Sequence, residues 1–290
     1  MTEAPSKTYV ITGGSDGIGL ECASQVAAAD PGCRIVIVGR SPDRTATAVG
    51  RIRSEQPSCR VDSLLCDFAD QHAVRLLAGD LLKTCARIDV LVNNAGTVFS
   101  RRHLTADGIE STFAINHLAG FLLTALLRDR LVESAPARVV FTSSEAHYSA
   151  TMDLDDLGFE QGYSIMKAYG RSKLANVLTA RWLAQQLEGT GVTVTALHPG
   201  AIATNIWSGA PWFARPALAV LKRWRMESPE VGGSRLAYLA TSPEVEGQTG
   251  GYYDRNRLRE PSELARDDAL AERLYVASAR LTGLDATPAA

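Results

Sequence analysis

Tyr169 and Lys173 are four residues apart in a segment with a helical pattern, so their side chains lie on one face of the predicted helix. An ammonium group beside a phenol lowers the phenol's pKa from about 10, towards the range in which it can exchange a proton. The pair is therefore a candidate general acid and base. Tyr163 and Lys167 have the same spacing, and the alternative for either pair is an exposed or half-buried tyrosine above a solvated lysine.

The composition is typical of a globular protein: the 290 residues are 46% hydrophobic and 21% charged, with a formal net charge of −2. This length suits one large α/β domain. The near-neutral charge gives no reason to expect nucleic acid or an anionic membrane surface as a partner. The five cysteines show neither a C-x-x-C pattern nor paired histidine spacing, so we expect no disulfide framework, no metal site and a cytoplasmic location.

Neither a signal peptide nor a membrane-spanning helix is expected. Met1–Lys7 is polar and runs directly into an apolar strand, which leaves no room for a signal peptide. Phe113–Leu127 is the most apolar long stretch, but it is shorter than the roughly 20 residues that a membrane span requires. It also contains Asn116 and His117. We therefore predict a buried core helix there and no integral membrane segment.

Short apolar runs alternate with longer helical patterns, which predicts βαβ units and a parallel sheet covered on both faces. The predicted strands are Thr8–Thr12, Arg34–Gly39, Arg60–Cys66, Val90–Asn93, Val139–Ser143, Val192–His198 and Gly251–Tyr253. The predicted helices are Gly17–Ala28, Arg44–Gln56, Ala69–Thr84, Gly108–Arg130, Met166–Gln186 and Pro229–Ala240. The pattern predicts a single-domain, doubly wound α/β fold with a mostly parallel sheet of seven strands. Such sheets bind ligands beyond the carboxyl ends of their strands.

A glycine-rich segment, Thr12-Gly13-Gly14-Ser15-Asp16-Gly17-Ile18-Gly19, follows the first predicted strand. Glycine lets the backbone approach a phosphate closely, and the N-terminus of the next helix offers free N–H groups and a positive dipole end. The segment is thus a candidate pyrophosphate site. Its spacing differs from the common G-x-G-x-x-G pattern, and the alternative is a plain glycine-rich turn. The candidate cofactor contacts in it are Gly13, Ser15, Asp16, Gly17, Ile18 and Gly19.

Arg40 follows the second predicted strand, where an NAD-binding protein places an acidic residue for the ribose 2′-hydroxyl. A guanidinium can instead hold a 2′-phosphate by two parallel hydrogen bonds. We therefore predict a preference for NADP(H) over NAD(H). The negative charge of Asp16 in the glycine loop opposes this preference.

The third and fourth predicted strands end in candidates for the adenosine side of a cofactor. Asp67 can accept a hydrogen bond from an adenine amino group, or it can be the N-cap of the next helix, and Phe68 can flank the ring. Asn94, Ala95 and Gly96 follow the fourth strand. The small residues allow a cofactor to lie against the backbone, and the asparagine amide can tie strands together.

Six motifs resemble, in order and spacing, the short-chain dehydrogenase/reductase family over about residues 8–255. They are Thr12-Gly13-x-x-x-Gly17-Ile18-Gly19, Asn93-Asn94-Ala95-Gly96, Asn116, Ser144, Tyr169-x-x-x-Lys173 and Pro199-Gly200. Three segments resemble its retinol dehydrogenase and WW-domain oxidoreductase branch: Thr142-Ser143-Ser144-x-Ala146-His147, Tyr169-x-x-Ser172-Lys173-Leu174-Ala175-Asn176 and His198-Pro199-Gly200-x-x-x-Thr204. The resemblance implies a Rossmann fold, and the Ser-Lys-Leu-Ala-Asn run selects Tyr169 with Lys173 over the rival pair.

The same resemblance implies four catalytic residues. Tyr169 would exchange a proton with the substrate oxygen while hydride moves to or from a nicotinamide. Lys173 would lower the phenol's pKa and bind the ribose, Ser144 would hydrogen-bond the substrate oxygen, and Asn116 would hold a water that links the lysine to solvent. The alternatives are a strand-end hydroxyl that satisfies a loop N–H for Ser144 and a buried amide that bridges helix turns for Asn116.

The segment after the sixth predicted strand resembles the one that lies beside the nicotinamide in this family. Pro199 and Gly200 are implied cofactor contacts, and Ile202 and Thr204 are implied partners of the carboxamide. His198 is predicted to be structural, because the family reaction does not need it.

Residues 205–228 correspond to the family's variable substrate lid. Aromatic residues there could bury a bulky apolar substrate, and the alternative is that they pack the lid onto its own core or onto a second subunit. The candidate substrate contacts are Trp207, Trp212 and Phe213. Lys222-Arg223-Trp224-Arg225 mixes basic and aromatic residues, but one such cluster is typical of a solvated helix face. The acids of Met152–Leu157 predict an exposed loop, since hydride transfer by this route needs no metal.

Together these features predict an NADP(H)-dependent oxidoreductase that interconverts a lipophilic alcohol with its aldehyde or ketone. The single domain would comprise a dinucleotide-binding core (8–200), the lid (about 205–228) and a C-terminal segment (256–290). The alternative function is a non-catalytic dinucleotide-binding regulator, whereas a sugar-nucleotide epimerase would need a larger C-terminal domain. The predicted helices Gly108–Arg130 and Met166–Gln186 are the candidate surfaces for a homodimer or homotetramer, although the same faces can cover the sheet.

Overall fold

The computed structural model describes residues 6–202 and 226–285. Within these residues the chain forms one sheet of eight strands in the order β3-β2-β1-β4-β5-β6-β7-β8. The strands are β1 (Thr8–Thr12), β2 (Arg34–Gly39), β3 (Arg60–Leu65), β4 (Val90–Asn93), β5 (Ala137–Thr142), β6 (Val192–His198), β7 (Tyr252–Asp254) and β8 (Arg257–Arg259). Strands β1 to β7 pair in parallel, and β8 pairs antiparallel with β7.

The strand order reverses at β1, which pairs with β2 on one side and with β4 on the other. The chain moves outwards from β1 to β3, crosses the sheet, and then moves outwards again from β4 to β7. This reversal creates a crevice beyond the carboxyl ends of the central strands, which is where doubly wound sheets bind ligands. The predicted doubly wound α/β fold is confirmed.

The predicted number of seven strands is wrong, because β8 adds an eighth. All three residues of β8 are exposed, and they include two arginines, so no apolar run marks the strand in the sequence. Pairing with β7 is what defines it: Arg257 lies opposite Asp254, and Arg259 lies opposite Tyr252.

The described residues contain nine α-helical segments. They are α1 (Gly17–Ala29), α2 (Pro42–Glu55), α3 (Gln71–Thr84), α4 (Ser111–Phe113), α5 (Ala119–Leu126), α6 (Arg128–Glu133), α7 (Ile165–Gln186), α8 (Pro229–Thr241) and α9 (Asp268–Leu281). For α1, α2, α3, α7 and α8 the predicted bounds lie within two residues of the observed ones.

The continuous helix predicted over Gly108–Arg130 is wrong in two respects. It begins only at Ser111, where the carboxylate of Glu110 accepts hydrogen bonds of 2.8 Å from two backbone N–H groups of α4. A π-helical turn at Ala114–Leu118 then separates α4 from α5. Such turns widen the helical ladder and occur frequently at functional sites, and this one contains Asn116.

Helices cover both faces of the sheet. Alternate residues of a strand point to opposite faces, so Val10 packs in the core under α3, α5 and α7, whereas Tyr9 and Ile11 pack in the core under α1, α2 and α8. Burial on both faces fixes the sheet and therefore the loops at its carboxyl edge. Among the helices of residues 6–202 and 226–285, none is both long enough and apolar enough to cross a membrane.

Helix α9 is not predicted from the sequence, which places no helix after Ala240. It begins behind Asp267, whose side chain accepts from the N–H of Leu270 at 2.9 Å. It packs against α7, where the ring centroids of Tyr275 and Trp182 are 5.8 Å apart. The C-terminal segment therefore covers the long helix that carries Tyr169 and Lys173.

His117 joins α9 to the centre of the molecule. Its side chain is fully buried, with Nε2 3.0 Å from Ser278 Oγ and Nδ1 3.2 Å from Asn176 Oδ1. Asn176 donates its amide N–H groups to the carbonyl oxygens of Asn116 and Thr142, so its Oδ1 is an acceptor and His117 Nδ1 carries the proton. The neutral ring satisfies this arrangement, and burial lowers the pKa of His117 to about 4.

We expect His117→Gln to reduce the acid dependence of stability. The folded-state pKa of about 4 lies below the unfolded-state value of about 6.5, so the neutral ring stabilises the fold above pH 6.5 and this contribution is lost as the pH falls towards 4. Between pH 7.5 and 5.0 the free energy of unfolding should fall by about 2 kcal/mol more in the wild type than in the variant. Urea denaturation at both pH values measures this, and equal losses would contradict it.

Candidate active site

A cleft of about 870 Å³ lies at the carboxyl edge of the sheet, where the strand order reverses. Of the predicted cofactor contacts within the described residues, all except Gly19 line it. They are Gly13, Ser15, Asp16, Gly17, Ile18, Arg40, Asp67, Phe68, Asn94, Ala95, Gly96, Tyr169, Lys173, Pro199, Gly200 and Ile202. Thr204 lies outside the described residues. These residues follow the ends of five strands, β1 to β4 and β6, or lie on α7, and the fold gathers them around one cavity.

Three glycines shape the loop between β1 and α1. Gly13 and Gly17 have φ angles of +67° and +53°, which residues with a side chain rarely adopt. A Cβ on Gly19 would lie 2.3 Å from the carbonyl oxygen of Gly13, so a glycine at this position allows α1 to pack closely against the loop. Gly19 does not line the cleft. Helix α1 therefore begins at the cleft, where backbone N–H groups of its first turn can bind a phosphate.

Arg44 is a cleft residue that the sequence patterns do not single out. Its guanidinium forms an ion pair with Asp16, whose Oδ1 also accepts from the N–H of Gly17 at 2.8 Å and so caps α1. The ion pair neutralises the negative charge that opposes a 2′-phosphate. Arg40 is exposed at the cleft, and no carboxylate of the described residues forms an ion pair with it, so the rim beyond β2 is positively charged.

Asp67 and Phe68 line the cleft beyond β3. Oδ1 of Asp67 accepts from the N–H of Ala69 at 3.0 Å, whereas the N-cap of α3 is Asp70, which accepts from two N–H groups of that helix. The alternative prediction that Asp67 caps the helix is therefore wrong. Asp67 is exposed at the cleft, where its carboxylate can accept a hydrogen bond from an adenine amino group.

Asn94 joins three strands at the floor of the cleft. Its Nδ2 donates to the carbonyl oxygen of Thr12 at 3.1 Å, and its Oδ1 accepts from the hydroxyl of Thr142 at 3.4 Å. The hydroxyl oxygen of Thr12 accepts from the N–H groups of Asn94 and Ala95 at 2.9 and 3.1 Å. The amide therefore ties β1, β4 and β5 together, as predicted, and holds the loop after β4 against the glycine loop.

Asn116 is buried in the π-helical turn and fixes the same loop from the other side. Its Nδ2 donates to the carbonyl oxygen of Thr97 at 2.9 Å and to Ser172 Oγ at 3.1 Å, and its Oδ1 accepts from the N–H of Thr97 at 2.7 Å. A Cβ on Gly96 would lie 3.2 Å from Asn116 Oδ1, so a glycine permits this approach. These contacts give Asn116 a bridging role within the chain, and its predicted water-holding role stays a prediction.

Lys173 is buried on α7, and its ammonium group lies at the end of β5. Nζ donates to the carbonyl oxygen of Thr142 at 3.0 Å, and the carbonyl oxygen of Lys173 accepts from Ser143 Oγ at 2.8 Å. Burial lowers the pKa of Lys173 to about 8, because low-dielectric surroundings disfavour the charged form. Nζ has one hydrogen-bond acceptor among the described residues, which leaves N–H donors for a ligand in the cleft.

Tyr169 lies one helical turn before Lys173, and its ring centroid is 5.5 Å from Nζ. Burial raises the pKa of its phenol, and a hydrogen bond with Ser144 partly offsets this effect. The prediction that Lys173 lowers this pKa below its ordinary value is not reproduced, because removal of the phenol from water outweighs the stabilising groups. Tyr169 is consequently protonated at neutral pH, as a proton donor must be.

The structure bears out the structural alternative for Ser144, and its predicted contact with a substrate oxygen stays a prediction. Its Oγ accepts from the N–H of Ala146 at 3.2 Å and so caps the 3₁₀ turn Glu145–Ser149. Hydrogen bonding by the same side chain lowers the pKa of the Tyr169 phenol, and both residues line the cleft. The strand-end hydroxyl therefore satisfies a loop N–H and also faces the candidate acid.

The rival pair Tyr163 and Lys167 does not line the cleft. The hydroxyl of Tyr163 donates to the carbonyl oxygen of Phe99 at 2.9 Å, and Lys167 is exposed. The structure thus places Tyr169 with Lys173, and not the rival pair, beside the predicted cofactor contacts.

An ion pair that the sequence patterns do not reveal holds the segment after β6. Arg235 of α8 donates to both carboxylate oxygens of Glu227 at 2.6 and 2.7 Å, and to the carbonyl oxygen of Pro199 at 2.6 Å. The N–H of Glu227 donates to the carbonyl oxygen of Ala201 at 2.8 Å. Gly200 between them has a φ of +101°. These bonds fix the backbone of this segment at the predicted nicotinamide end of the cleft.

His198 is buried at the end of β6, and its Nε2 lies 3.7 Å from Glu145 Oε2. These two side chains and Asp254 offer ligand atoms that all lie within 4.8 Å of one another. Arg255 and Arg259 lie beside the Asp254 carboxylate, so guanidinium groups already neutralise this cluster. Burial lowers the pKa of His198, and a neutral ring is consistent with the structural role predicted for it.

Apolar side chains also line the cleft. Among them are Val98, Phe99, Ile115, Met166 and Met226. The predicted substrate contacts Trp207, Trp212 and Phe213 lie outside the described residues, as does most of the predicted lid.

The model of the short chain dehydrogenase family matches residues 7–211. Human retinol dehydrogenase 13 is 36% identical over 287 residues, which cover 97% of this chain and 86% of that protein. "Putative daunorubicin C-13 ketoreductase DnrU" of Streptomyces sp. (strain C5) is 39% identical over 283 residues, covering 96% and 93%. The crystal structure of a short chain dehydrogenase from Burkholderia cenocepacia J2315 in complex with NADP has a TM-score of 0.66 and 25% identity, covering 86% of this chain and 95% of that chain.

The chain belongs to the short-chain dehydrogenase/reductase family, in its retinol dehydrogenase-like branch. It is therefore an oxidoreductase that acts on CH–OH groups and binds a nicotinamide dinucleotide. The family membership inferred from the sequence motifs is confirmed.

We expect Gly19→Ala to weaken NADPH binding. The added methyl group would lie 2.3 Å from the Gly13 carbonyl oxygen and 2.6 Å from Asn94 Nδ2, so α1 must move away from the loop, at a cost equivalent to about tenfold in affinity. Gly50→Ala on α2, where a methyl group meets no atom within 4 Å, is the matched control and should bind like the wild type. Fluorescence titration measures both. Wild-type affinity in Gly19→Ala would contradict the close approach.

Proposed function

We propose that the protein is an NADP(H)-dependent oxidoreductase that interconverts a lipophilic alcohol with its aldehyde or ketone, with Tyr169 as general acid and base. The observation that carries this proposal is the placement of Tyr169 and Ser144 in one cleft with the buried ammonium of Lys173, which lies 5.5 Å from the centre of the Tyr169 ring. All three residues line the cleft that the glycine loop borders. A proton donor, a second hydroxyl and a cation thus face one place where a carbonyl oxygen can bind.

The residues of the cleft fit a dinucleotide. A Cβ on Gly13 would lie 3.1 Å from the Cα of Ala95, so the absence of a side chain keeps the two loops close and leaves backbone at the cleft. The N-terminus of α1 favours a pyrophosphate. Lys173 has N–H donors left for ribose hydroxyls. Bound there, the nicotinamide supplies or accepts the hydride.

Tyr169 supplies the proton in the reducing direction. Because burial raises its pKa, the phenol keeps its proton at neutral pH and can donate it to a carbonyl oxygen. The phenolate that forms is stabilised by its hydrogen bond with Ser144 and by the ammonium of Lys173, 5.5 Å from the ring centre. In the oxidising direction the phenolate accepts the proton of the alcohol.

A lipophilic substrate is supported by the apolar side chains that line the same cleft as Tyr169, among them Phe99 and Met166. Apolar walls with a few convergent polar groups are typical of small-molecule sites. One relative is named as a retinol dehydrogenase and another as a ketoreductase, which supports both an alcohol and a ketone as partners of the reaction.

The preference for NADP(H) is supported by the charges beyond β2. Arg40 is exposed at the cleft, and the ion pair with Arg44 offsets the charge of Asp16. A bidentate guanidinium–phosphate contact suits this position. The structural neighbour from Burkholderia cenocepacia holds NADP, which adds support.

The predicted homodimer or homotetramer and the predicted cytoplasmic location stay proposals. Most residues of α7 between Ala168 and Ala184 are buried by the chain itself, so this face serves the sheet. All five cysteines are free and buried, which suits a reducing compartment.

We expect Tyr169→Phe to lower kcat at least about a hundredfold, because the general acid is lost, with little change in NADPH affinity. Tyr238→Phe is the matched control, since its hydroxyl donates to the carboxylate of Glu244 and neither residue lines the cleft, and it should retain wild-type kcat. The decrease in reduced-nicotinamide absorbance with hydrophobic aldehydes and ketones measures turnover. Retained activity in Tyr169→Phe would refute the assignment.

We expect Arg40→Ala to weaken NADPH binding about ten- to a hundredfold, the value of a charged hydrogen bond, and to leave NADH binding within about twofold. Arg280, an exposed arginine at the end of α9, provides the control variant Arg280→Ala, which should change neither. Titration of all three proteins with both cofactors decides the matter. Equal losses for NADPH and NADH, or tighter NADH binding by the wild type, would contradict the proposal.

The non-catalytic regulator gives a different outcome in the same assays. A regulator would bind NADPH tightly yet oxidise it with none of the hydrophobic carbonyl compounds, and Tyr169→Phe would then have no kinetic effect. The convergence of Tyr169, Ser144 and Lys173 favours the enzyme, because dinucleotide binding by itself does not require a proton donor in the cleft.

A further inference from the structure

His147 lies in the 3₁₀ turn that follows Ser144, and the proposed reaction assigns it no part. Its side chain is fully buried. The ring contacts two others, with centroids 4.1 Å from Tyr148 and 4.6 Å from Tyr252. Both ring nitrogens have a partner: Nδ1 lies 2.7 Å from the carbonyl oxygen of Ser144, and Nε2 lies 3.2 Å from the backbone N of Ser262.

These two partners determine the tautomer. A backbone N–H can only donate, so Nε2 accepts from Ser262, and a carbonyl oxygen can only accept, so Nδ1 carries the proton and donates to Ser144. Only the neutral ring protonated at Nδ1 satisfies both bonds. Burial lowers the pKa of His147, and the nearby Arg259 and Glu145 act in opposite directions, so the ring is neutral at pH 7.

The bond to Ser262 comes from the C-terminal segment, which is held on the same turn by two further contacts. The hydroxyl of Tyr148 donates to the carbonyl oxygen of Glu260 at 2.7 Å. The guanidinium of Arg259 lies 5.3 Å from the centre of the Tyr148 ring. The imidazole is therefore fixed in place and in tautomer by a segment more than a hundred residues away in the sequence.

Ser144 depends on this donor for its orientation. Its backbone is extended, with φ −160° and ψ 156°, and its carbonyl oxygen accepts both from the ring and from the N–H of His147 at 3.1 Å. From the backbone held in this way, Oγ reaches the N–H of Ala146 at 3.2 Å, and Ser144 lines the cleft together with Tyr169. Without the ring donor, one of the two bonds that orient the Ser144 peptide is lost.

We propose that His147 is a positioning residue that aims Ser144 Oγ at Tyr169, through an Nδ1–H bond to the Ser144 carbonyl that the Ser262 N–H locks in its tautomer. The inference rests on the proposed function, because it assigns His147 to the same site. It adds the C-terminal segment to the parts of the chain that set the geometry of proton transfer.

The test compares His147→Asn with His147→Leu in the full-length protein. The two replacements have the same number and branching of side-chain heavy atoms, but only asparagine has an N–H near the position of Nδ1. His147→Leu should lower kcat about tenfold, the value of one hydrogen bond to a buried group. His147→Asn should stay within about threefold of the wild type. NADPH affinity should be unchanged in both.

A second readout needs no turnover. In protein labelled with carbon-13 at the tyrosine Cζ, the signal of Tyr169 is identified by its loss in Tyr169→Phe. Since hydrogen bonding by Ser144 lowers the pKa of Tyr169, His147→Leu should raise that pKa, whereas His147→Asn should not change it.

Equal losses of kcat in the asparagine and leucine variants would assign His147 to packing and overturn the proposal, as would wild-type kcat in His147→Leu. An unchanged pKa of Tyr169 in His147→Leu would overturn it as well. If the wild type shows no turnover but the pKa of Tyr169 still rises in His147→Leu alone, the proposed function fails while the positioning role stands.

Discussion

The carbonyl oxygen of Thr142, at the buried end of β5, is the point on which the proposed catalytic residues depend. It accepts from the ammonium of Lys173 and from the amide of Asn176, both at 3.0 Å. A buried ammonium is costly unless it is hydrogen-bonded, so this carbonyl determines where Lys173 can lie. The other amide N–H of Asn176 binds the carbonyl oxygen of Asn116 at 2.9 Å, which ties the π-helical turn to the same place. A shift of β5 would therefore displace all of these groups together.

The pKa values of Tyr169 and Lys173 are set by their burial and not by their spacing along the helix. Burial disfavours the charged form of any group, so it lowers the pKa of Lys173 to about 8 and raises that of Tyr169. At neutral pH the phenol is therefore protonated while the lysine is still largely charged. Ser144 acts against burial by stabilising the phenolate. The orientation of one hydroxyl thus has direct consequences for proton transfer, which gives the surroundings of Ser144 their importance.

Two arginines from distant parts of the chain adjust the charge at the two ends of the cleft. Arg44 pairs with Asp16 beside the glycine loop, and Arg235 pairs with Glu227 beside the segment after β6. Each guanidinium neutralises a carboxylate near the expected position of a dinucleotide: its negative phosphates at the Arg44 end and its neutral carboxamide at the Arg235 end. Arg40, at the rim, forms no ion pair with a carboxylate of the described residues. The potential of the cleft is therefore the result of pairings across the fold, and it favours an anionic ligand at one end.

The sequence by itself predicted seven of the eight strands of the described residues, most helix bounds, the glycine loop and the candidate residues Tyr169, Lys173, Ser144 and Asn116. These follow from local patterns: period 2 or 3.6 in apolar residues, glycines at a turn, and short motifs. Only the tertiary structure decided what depends on partners far away in the chain. Strand β8 exists through its pairing with β7, and α9 packs on α7. The pKa of Tyr169 and the tautomer of His147 were likewise fixed by burial and by contacts from elements that no local pattern connects.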